Sequence, residues 1–306
     1  MKVVIAVPTF RRPSTLAHLL SALPERVNEV QFDTEFEVIV VDNDPDASAQ
    51  AVASGFTGLP LRYVVESRPG IAAVRNRALD EASEASLLAF IDDDEFPRPG
   101  WLAALISVWE VHRSAAVMGR VISLFDEDAD PWVLATGVFR RRPRPTGLVI
   151  PVAAAGNLLL DLEQVRALDV RFDETLGLAG GEDTLFSRQL VARGGVIVWC
   201  NESETEDTVP SDRVTRRWAL RRGFNSGNSA IQVDLRMASG SGAKLLIRVR
   251  GLVGGSARVM AGWIRHISGK VRGVVEDDAR GMRTVYRGLG MASAAIGHTH
   301  QEYSRG

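Results

Sequence analysis

Four consecutive acidic residues follow directly on an apolar run and point to ligand chemistry. Asp92, Asp93, Asp94 and Glu95 come after Ser86–Ile91, a short apolar segment that predicts a buried parallel strand. Carboxylates at the carboxyl end of such a strand lie where open α/β sheets bind their ligands. Asp92 and Asp94 have the spacing at which two oxygen ligands can share a divalent cation that also holds a diphosphate. The alternative for so short a motif is a solvated acidic loop.

A further carboxylate opens a predicted helix, Glu182–Arg193, directly after Gly180-Gly181. Asp183 shares one helix face with Phe186 and Leu190, so its side chain is predicted to point toward the buried side. A carboxylate held on a rigid element at a cleft suits a general base. The alternative is that acids in the first turn only complement the helix dipole.

Polar residues also follow the other predicted strands. Asp42 ends the second strand, where it could accept hydrogen bonds from a base or ribose, or instead stabilise a turn.

The run Pro8-Thr9-Phe10-Arg11-Arg12-Pro13 after the first strand contains no glycine, so backbone amides cannot cradle phosphates as in a P-loop. Phosphates would then need metal and arginine. Arg68 lies at a strand end, and Arg75 lies off the apolar stripe of its helix, so the pattern does not force it into the core.

The elements that position these residues alternate in type. Short β-type runs are separated by amphipathic helical patterns, an order that predicts a mostly parallel sheet with right-handed crossovers. The predicted strands are Lys2–Val7, Phe36–Val41, Leu61–Val65, Leu87–Ile91, Ala115–Leu124, Val152–Asp161 and Val196–Cys200. The predicted helices include Ala47–Ser54, Pro99–Arg113, Leu162–Leu168 and Ser211–Ala230, with a polar surface excursion over Asp126–Thr146 and a flexible joint at Ser239–Gly242.

Composition limits the classes of protein to which the chain can belong. The single cysteine, Cys200, excludes an internal disulfide and any cysteine-based zinc cluster. No uncharged apolar stretch approaches the roughly 20 residues that a membrane-spanning helix needs. Residues 1–210 carry 19 Lys and Arg against 32 Asp and Glu, whereas residues 211–306 carry 17 against 6. We therefore expect an acidic fold of residues 1–235 followed by a basic helical region, 236–306.

The basic region has an amphipathic pattern. Residues 244–287 hold ten Lys and Arg and three acids. A basic amphipathic helix of this kind is predicted to lie on an anionic membrane surface. The alternatives are that its apolar stripe packs on the acidic domain or on a second subunit. The stripe comprises Val249, Leu252, Val253, Met260, Trp263, Ile264, Ile267, Val271 and Val274.

Five motifs in order resemble the family 2 glycosyltransferases from Val4 to about Arg222. They are Val-Pro8-Thr9-Phe-Arg11, Val-Val-Asp42-Asn43, Gly70-Ile-Ala-Ala-Val-Arg75-Asn76, Asp92-Asp93-Asp94 and Gly181-Glu182-Asp183. The resemblance implies an α/β GT-A fold, which is Rossmann-like with helices flanking the sheet. It also implies an enzyme that moves a hexose from a nucleoside diphosphate sugar, UDP-linked in our prediction, to a hydroxyl with inversion.

The resemblance also implies roles for residues. The nucleotide-sugar site would comprise Pro8, Thr9, Arg11, Asp42, Arg68, Arg75, Asp92 and Asp93. Asp92 and Asp94 would hold Mn²⁺ or Mg²⁺, and Asp183 would be the catalytic base. Glu182, Arg217 and Trp218 would lie on the acceptor side.

The chain departs from the processive members, which carry a Q-x-x-R-W motif. Here the five residues are Val214-Thr215-Arg216-Arg217-Trp218, so the glutamine is missing. The basic helix Arg213–Arg222 and the final His-x-x-x-Glu-Tyr of His298–Tyr303 instead resemble the bacterial exopolysaccharide enzymes of the succinoglycan type. That resemblance implies a saccharide or lipid-linked acceptor, no nucleic acid, and a cytoplasmic protein on the inner face of the cell membrane. The alternatives are a metal-dependent nucleotidyltransferase and a non-catalytic membrane-associated scaffold.

Overall fold

A computed structural model describes residues 1–125, 128–176 and 180–298. The chain divides into two compact units. The first comprises residues 1–122, 141–176 and 182–208, and the second comprises residues 123–125, 128–140, 180–181 and 209–298. The predicted domain boundary after residue 235 falls inside a helix of the second unit, so a division at that point stays a prediction.

Within the described residues the sheet has eight strands. They are β1 Lys2–Thr9, β2 Glu35–Asp42, β3 Leu61–Val65, β4 Leu87–Ile91, β5 Glu95–Pro97, β6 Ala116–Leu124, β7 Asn157–Asp161 and β8 Ile197–Thr208. The first four in the chain are parallel. They lie in the order β3-β2-β1-β4, and the sheet continues with β7-β6-β8-β5. Antiparallel pairs join β4 to β7, β6 to β7 and β5 to β8. The expected parallel sheet is therefore confirmed only for its first half.

Helices cover both faces of the sheet. Alternate residues of β1 enter different clusters: Val4 and Ala6 belong to one, and Val3 and Ile5 to the other. A strand buried on both faces has this continuous apolar sequence, which is why the first strands were predictable. The helices are α1 Pro13–Asn28, α2 Gln50–Gly55, α3 Ile71–Glu81, α4 Trp101–His112, α5 Pro131–Ala135, α6 Leu162–Ala167, α7 Glu182–Ala192, α8 Arg216–Met237, α9 Ser241–Arg272 and α10 Val275–Ala295.

Two predictions about irregular regions were wrong. The polar segment 126–146, whose first two residues lie outside the described part, contains α5, and Trp132 and Val133 of α5 are buried in the core of the second unit. Strand β8 continues well past the predicted end at Cys200 and pairs with β5, which was not predicted. Beyond Cys200, polar and charged residues of β8 alternate with buried ones, and β5 has only three residues, so neither stretch has an apolar run.

Helices α8, α9 and α10 make up most of the second unit. Thr215 caps α8, because its side chain accepts a hydrogen bond from the Trp218 backbone amide. The predicted joint at Ser239–Gly242 is short, since α9 already begins at Ser241. Among the described residues, no helix carries an apolar stretch long enough to cross a bilayer. The final His-x-x-x-Glu-Tyr motif extends beyond the described residues.

Glycines set the distance between these helices. A methyl group on Gly227 of α8 would collide with the backbone carbonyl of Arg287 in α10. Backbone atoms cannot move aside as a flexible side chain can, so only glycine fits at this crossing. A methyl group on Gly254 of α9 would meet nothing closer than the end of the Arg258 side chain, at 3.4 Å.

We predict that Gly227→Ala destabilises the protein and Gly254→Ala does not. Overpacking a helix contact costs about 1–3 kcal/mol, whereas replacing a helical glycine by alanine at an open position gains up to about 1 kcal/mol. Thermal unfolding should show a Tm several degrees lower for Gly227→Ala and an unchanged or higher Tm for Gly254→Ala. Equal Tm values for the two variants would contradict the proposed close contact.

Candidate active site

Strand register brings three predicted site residues to one edge of the sheet. Thr9 pairs with Asp42 at the ends of the parallel strands β1 and β2. The pairing of Ala6 with Phe90 between β1 and β4, continued by three residues, places Thr9 opposite Asp93. The carboxyl ends of parallel strands meet at the same edge, so the motifs after β1, β2 and β4 lie together as expected.

Asp93 is an anchor of the acidic segment. Its carboxylate accepts a hydrogen bond of 2.7 Å from the Thr9 hydroxyl and one of 3.2 Å from Arg12 Nη1. Burial raises the pKa of Asp93 to about 6, and the contacts with Thr9 and Arg12 oppose that rise. The same Arg12 nitrogen lies 2.5 Å from Asp94 Oδ2. Arg12 was not among the predicted site residues, because its neighbour Arg11 was the one that the resemblance indicated.

Asp92 lies half-buried beside Arg75. The distance from Arg75 Nη2 to Asp92 Oδ1 is 3.6 Å. Burial raises the pKa of Asp92; Arg75 opposes that rise, and the negative charges of Asp94 and Asp183 add to it. The site is therefore short of positive charge for the number of carboxylates that it holds.

A buried glutamate that the sequence did not reveal lies next to Asp92. Thr205 donates a hydrogen bond of 2.6 Å to Glu95 Oε2. Gly156 separates the two carboxylates, since a methyl group there would touch Glu95 Oε1 and lie 3.0 Å from Asp92 Oδ2. Burial, followed by the charge of Asp92, raises the pKa of Glu95 well above its usual value. In the sequence, Glu95 looks like the end of a solvated acidic run.

The start of α7 differs from the expectation. Glu182 is buried, whereas Asp183 is only partly buried, so Glu182 is the side chain that points inward. Glu182 Oε1 accepts a hydrogen bond of 2.7 Å from Arg75 Nη1. Arg75 is itself only 5% exposed, although its position off the apolar stripe did not require burial. Its guanidinium also lies 5.6 Å from the centre of the Phe172 ring.

The charges around Glu182 and Asp183 interact directly. Burial raises the pKa of Glu182, the charge of Asp183 adds to the rise, and Arg75 opposes it. Among the described residues, Glu182 Oε2 has no hydrogen-bond partner. Asp183 Oδ1 accepts a 2.6 Å hydrogen bond from the Thr184 amide and a 3.2 Å one from the Thr184 hydroxyl. Asp183 therefore stands at the more accessible end of a crowded acidic cluster.

Asp42 has the geometry of a turn residue in this structure. It is fully buried, and it accepts hydrogen bonds from the amides of Asp44 and Ala49, both at 2.9 Å, and from the Tyr63 hydroxyl at 2.8 Å. Burial, together with the bond to Asp42, raises the pKa of Tyr63. Its proposed contact with a nucleotide stays a prediction.

The two remaining arginines of the predicted nucleotide site are paired with acids. Arg11 Nε lies 3.2 Å from Asp44 Oδ2. Arg68 is exposed and bonds Glu66 at 2.9 Å and Glu174 at 3.0 Å. These ion pairs hold both guanidinium groups close to the strand ends, and Glu66 and Glu174 were not predicted. Pro8 is buried within β1.

Arg217 and Trp218 lie in the first turn of α8, in the second unit. The Trp218 ring stacks on Phe139 with a centroid distance of 5.1 Å and an interplanar angle of 6°. Arg217 is exposed. Their assignment to an acceptor side is not tested by these contacts.

The acidic cluster suits a hard divalent cation. No group of three or more His, Cys, Asp and Glu side chains with metal-binding geometry occurs in residues 1–125, 128–176 and 180–298. Mg²⁺ is usually held by one or two carboxylates, and substrate phosphates and water complete its shell. Asp92 and Asp94 provide two such carboxylates, and the excess of negative charge around Asp92 would favour a cation.

Solved structures show the fold. PcManGT, a mannosyltransferase from Pyrobaculum calidifontis in complex with GDP-Man and Mn²⁺, gives a TM-score of 0.60 at 16% identity, covering 96% of this chain and 87% of that one. TarS of S. aureus gives 0.55 at 20% identity over 82% of this chain, which spans 40% of the length of that structure. Its 1–349 fragment has been solved with UDP-GlcNAc. The fold is GT-A.

Sequence comparison gives the family. ExoM, a succinoglycan biosynthesis protein of Rhizobium meliloti (strain 1021), is 33% identical over 236 residues, which are 74% of this chain and 72% of ExoM. The model of glycosyl transferase family 2 matches residues 4–166, more than half of the chain. The chain therefore belongs to glycosyl transferase family 2.

Proposed function

We propose that the protein is an inverting, metal-dependent hexosyltransferase that uses a UDP-linked sugar. The acceptor would be a hydroxyl of a lipid-linked or growing saccharide in exopolysaccharide synthesis. The single observation that carries the proposal is the cluster of Asp92, Asp94, Glu182 and Asp183, set beside Arg75 at the carboxyl edge of the parallel strands. Family membership favours glycosyl transfer over nucleotidyl transfer.

Asp183 is the proposed base. Thr184 donates two hydrogen bonds to Oδ1, which orient the carboxylate, so Oδ2 would be the atom that accepts the proton. The carboxylate would take the proton of the acceptor hydroxyl as the oxygen attacks the anomeric carbon opposite the leaving diphosphate. A single displacement of this kind inverts the anomeric centre. Glu182 is less suited to the role because it is buried and bonded to Arg75.

Asp92 and Asp94 are the proposed cation ligands. A bound Mn²⁺ or Mg²⁺ would stabilise the negative charge of the departing diphosphate. The Arg12 guanidinium on Asp93 and Asp94 keeps the acidic segment in place. The Mn²⁺ in the PcManGT structure supports this assignment by analogy.

The nucleoside would lie over the ends of β1 and β2. Pro8, Thr9, Arg11 and Asp42 converge there, and Arg68 and Arg75 lie nearby as candidate partners for the diphosphate. The choice of UDP is supported by the UDP-GlcNAc complex of TarS, whereas PcManGT holds GDP-Man. Thermal stabilisation by a panel of nucleotide sugars with Mn²⁺ would test the choice, because a ligand that binds only the folded state raises its Tm.

We predict that Asp183→Asn lowers turnover by about 10²-fold or more while UDP affinity changes little, since the amide cannot accept the proton. UDP release from the donor measures turnover, and calorimetry measures UDP binding. Asp80→Asn is the matched control, because Asp80 forms an exposed ion pair with Arg171. Turnover of Asp183→Asn equal to that of the control would show that the base is another residue.

We predict that Asp94→Ala abolishes the metal dependence of UDP binding. Without the Asp94 carboxylate a cation has only Asp92 to bind, so Mn²⁺ should no longer increase the thermal stabilisation that UDP gives. EDTA should have the same effect on the wild type, and Asp33→Ala, on an exposed loop residue, should behave like the wild type. Equal UDP affinity of the wild type with and without metal would rule out the cation's role.

A further inference from the structure

Helix α9 buries its glycines and exposes its large apolar side chains. Its buried residues are Gly251, Gly255, Gly262 and Gly269. A methyl group on Gly255 would lie 2.7 Å from the Gly288 carbonyl of α10. At these glycines the backbones of α9 and α10 lie directly against each other, and most of the large apolar side chains of α9 stay exposed.

The exposed apolar side chains share one face of the helix, which we call the α9 stripe. At 3.6 residues per turn they fall within an arc of about 120°, and from first to last they extend about 40 Å along the helix. Their exposed fractions run from 39% for Leu252 to 82% for Val271. The stripe comprises Leu245, Leu246, Val249, Leu252, Val253, Met260, Trp263, Ile264, Ile267 and Val271.

Positive charge lies along α9, and at 3.6 residues per turn Arg248, Arg250 and Lys270 fall at the edges of the α9 stripe. The helix carries seven Lys and Arg and no Asp or Glu. Lys244, Arg250 and Lys270 are exposed. Arg265 and Arg272 share Asp277 of α10, at 2.9 and 2.6 Å, so a single carboxylate meets two of the seven cations.

We propose that the α9 stripe docks the protein on an anionic lipid bilayer, with the helix lying parallel to the membrane surface. An apolar face bordered by Lys and Arg is the arrangement with which interfacial helices enter the boundary between headgroups and acyl chains. The apolar side chains enter that boundary, and the basic side chains contact the anionic headgroups. Trp263, within the stripe, is of the residue type enriched at this depth.

Charge distinguishes this occupant from a second copy of the chain. A symmetric dimer through the stripe would place the same helix on both sides of the contact. Each helix would bring seven cations and no acid of its own. A bilayer that contains anionic lipid offers the opposite charge along the whole length of the stripe.

Co-sedimentation of the full-length protein with vesicles tests the proposal. The protein should pellet with vesicles of phosphatidylcholine and phosphatidylglycerol at low salt, and much less at high salt or with phosphatidylcholine alone. Ile264→Ser with Ile267→Ser should weaken binding by about tenfold or more. Val111→Ser with Val191→Ser, which removes exposed apolar side chains from α4 and α7, should bind like the wild type.

A charge variant and an oligomer measurement complete the test. Replacing Lys244, Arg250 and Lys270 with Gln should weaken binding to the anionic vesicles by about fivefold for each residue. Failure of the wild type to pellet at low salt, or unchanged binding of the Ile264/Ile267 variant, would overturn the proposal. The proposal would also be overturned if light scattering showed a dimer of the wild type that the Ile264/Ile267 variant does not form. UDP release from a soluble donor is measured in parallel. A loss of membrane binding can then be distinguished from a loss of the proposed transferase activity.

Discussion

The Arg75 guanidinium joins the two acidic segments of the candidate site. It bonds Glu182 at the start of α7 and lies beside Asp92 at the end of β4, residues far apart in the sequence. Removing one partner of such a buried pair typically costs about 3–5 kcal/mol, because the other charge remains buried and uncompensated. Arg75 therefore helps to fix the relative position of Asp92 and Asp183, on which the proposed chemistry depends.

Crowding of like charges is the second constraint on the site. Asp92, Glu95 and Glu182 all have raised pKa values for which burial is the first cause. Arg75 and Arg12 offset only part of this negative charge. A site with this excess of negative charge binds a cation more favourably than an uncharged site would. The cation reduces the repulsion between carboxylates that folding has brought together. The negative charges of these carboxylates therefore lower the stability of the fold, while the proposed function uses them to bind a cation.

The sequence predicts the parallel half of the sheet well because β1, the second half of β2 and β4 contain continuous apolar runs that are buried on both faces. It predicts the acidic segment and Asp183 through their order in the family motifs. It does not predict Glu95, Arg12 or the inward position of Glu182. Periodicity reports where apolar side chains recur, and it carries no information on which charged side chain finds a buried partner across the sheet.

In the second unit, the periodicity of apolar residues also fails to predict what a side chain contacts. The spacing of Val249, Trp263 and Ile267 correctly predicts an amphipathic helix, and an apolar stripe is normally the face that packs. In α9 the glycines take that position instead, because backbone atoms of α10 approach too closely for any side chain. A methyl group on Gly262, for example, would lie 2.8 Å from the Gly281 carbonyl oxygen of α10. Apolar periodicity therefore identifies a stripe without fixing what it contacts. The spacing of glycines at 255, 262 and 269, repeated at 281 and 288, is the signal that distinguishes the packed face from the exposed one.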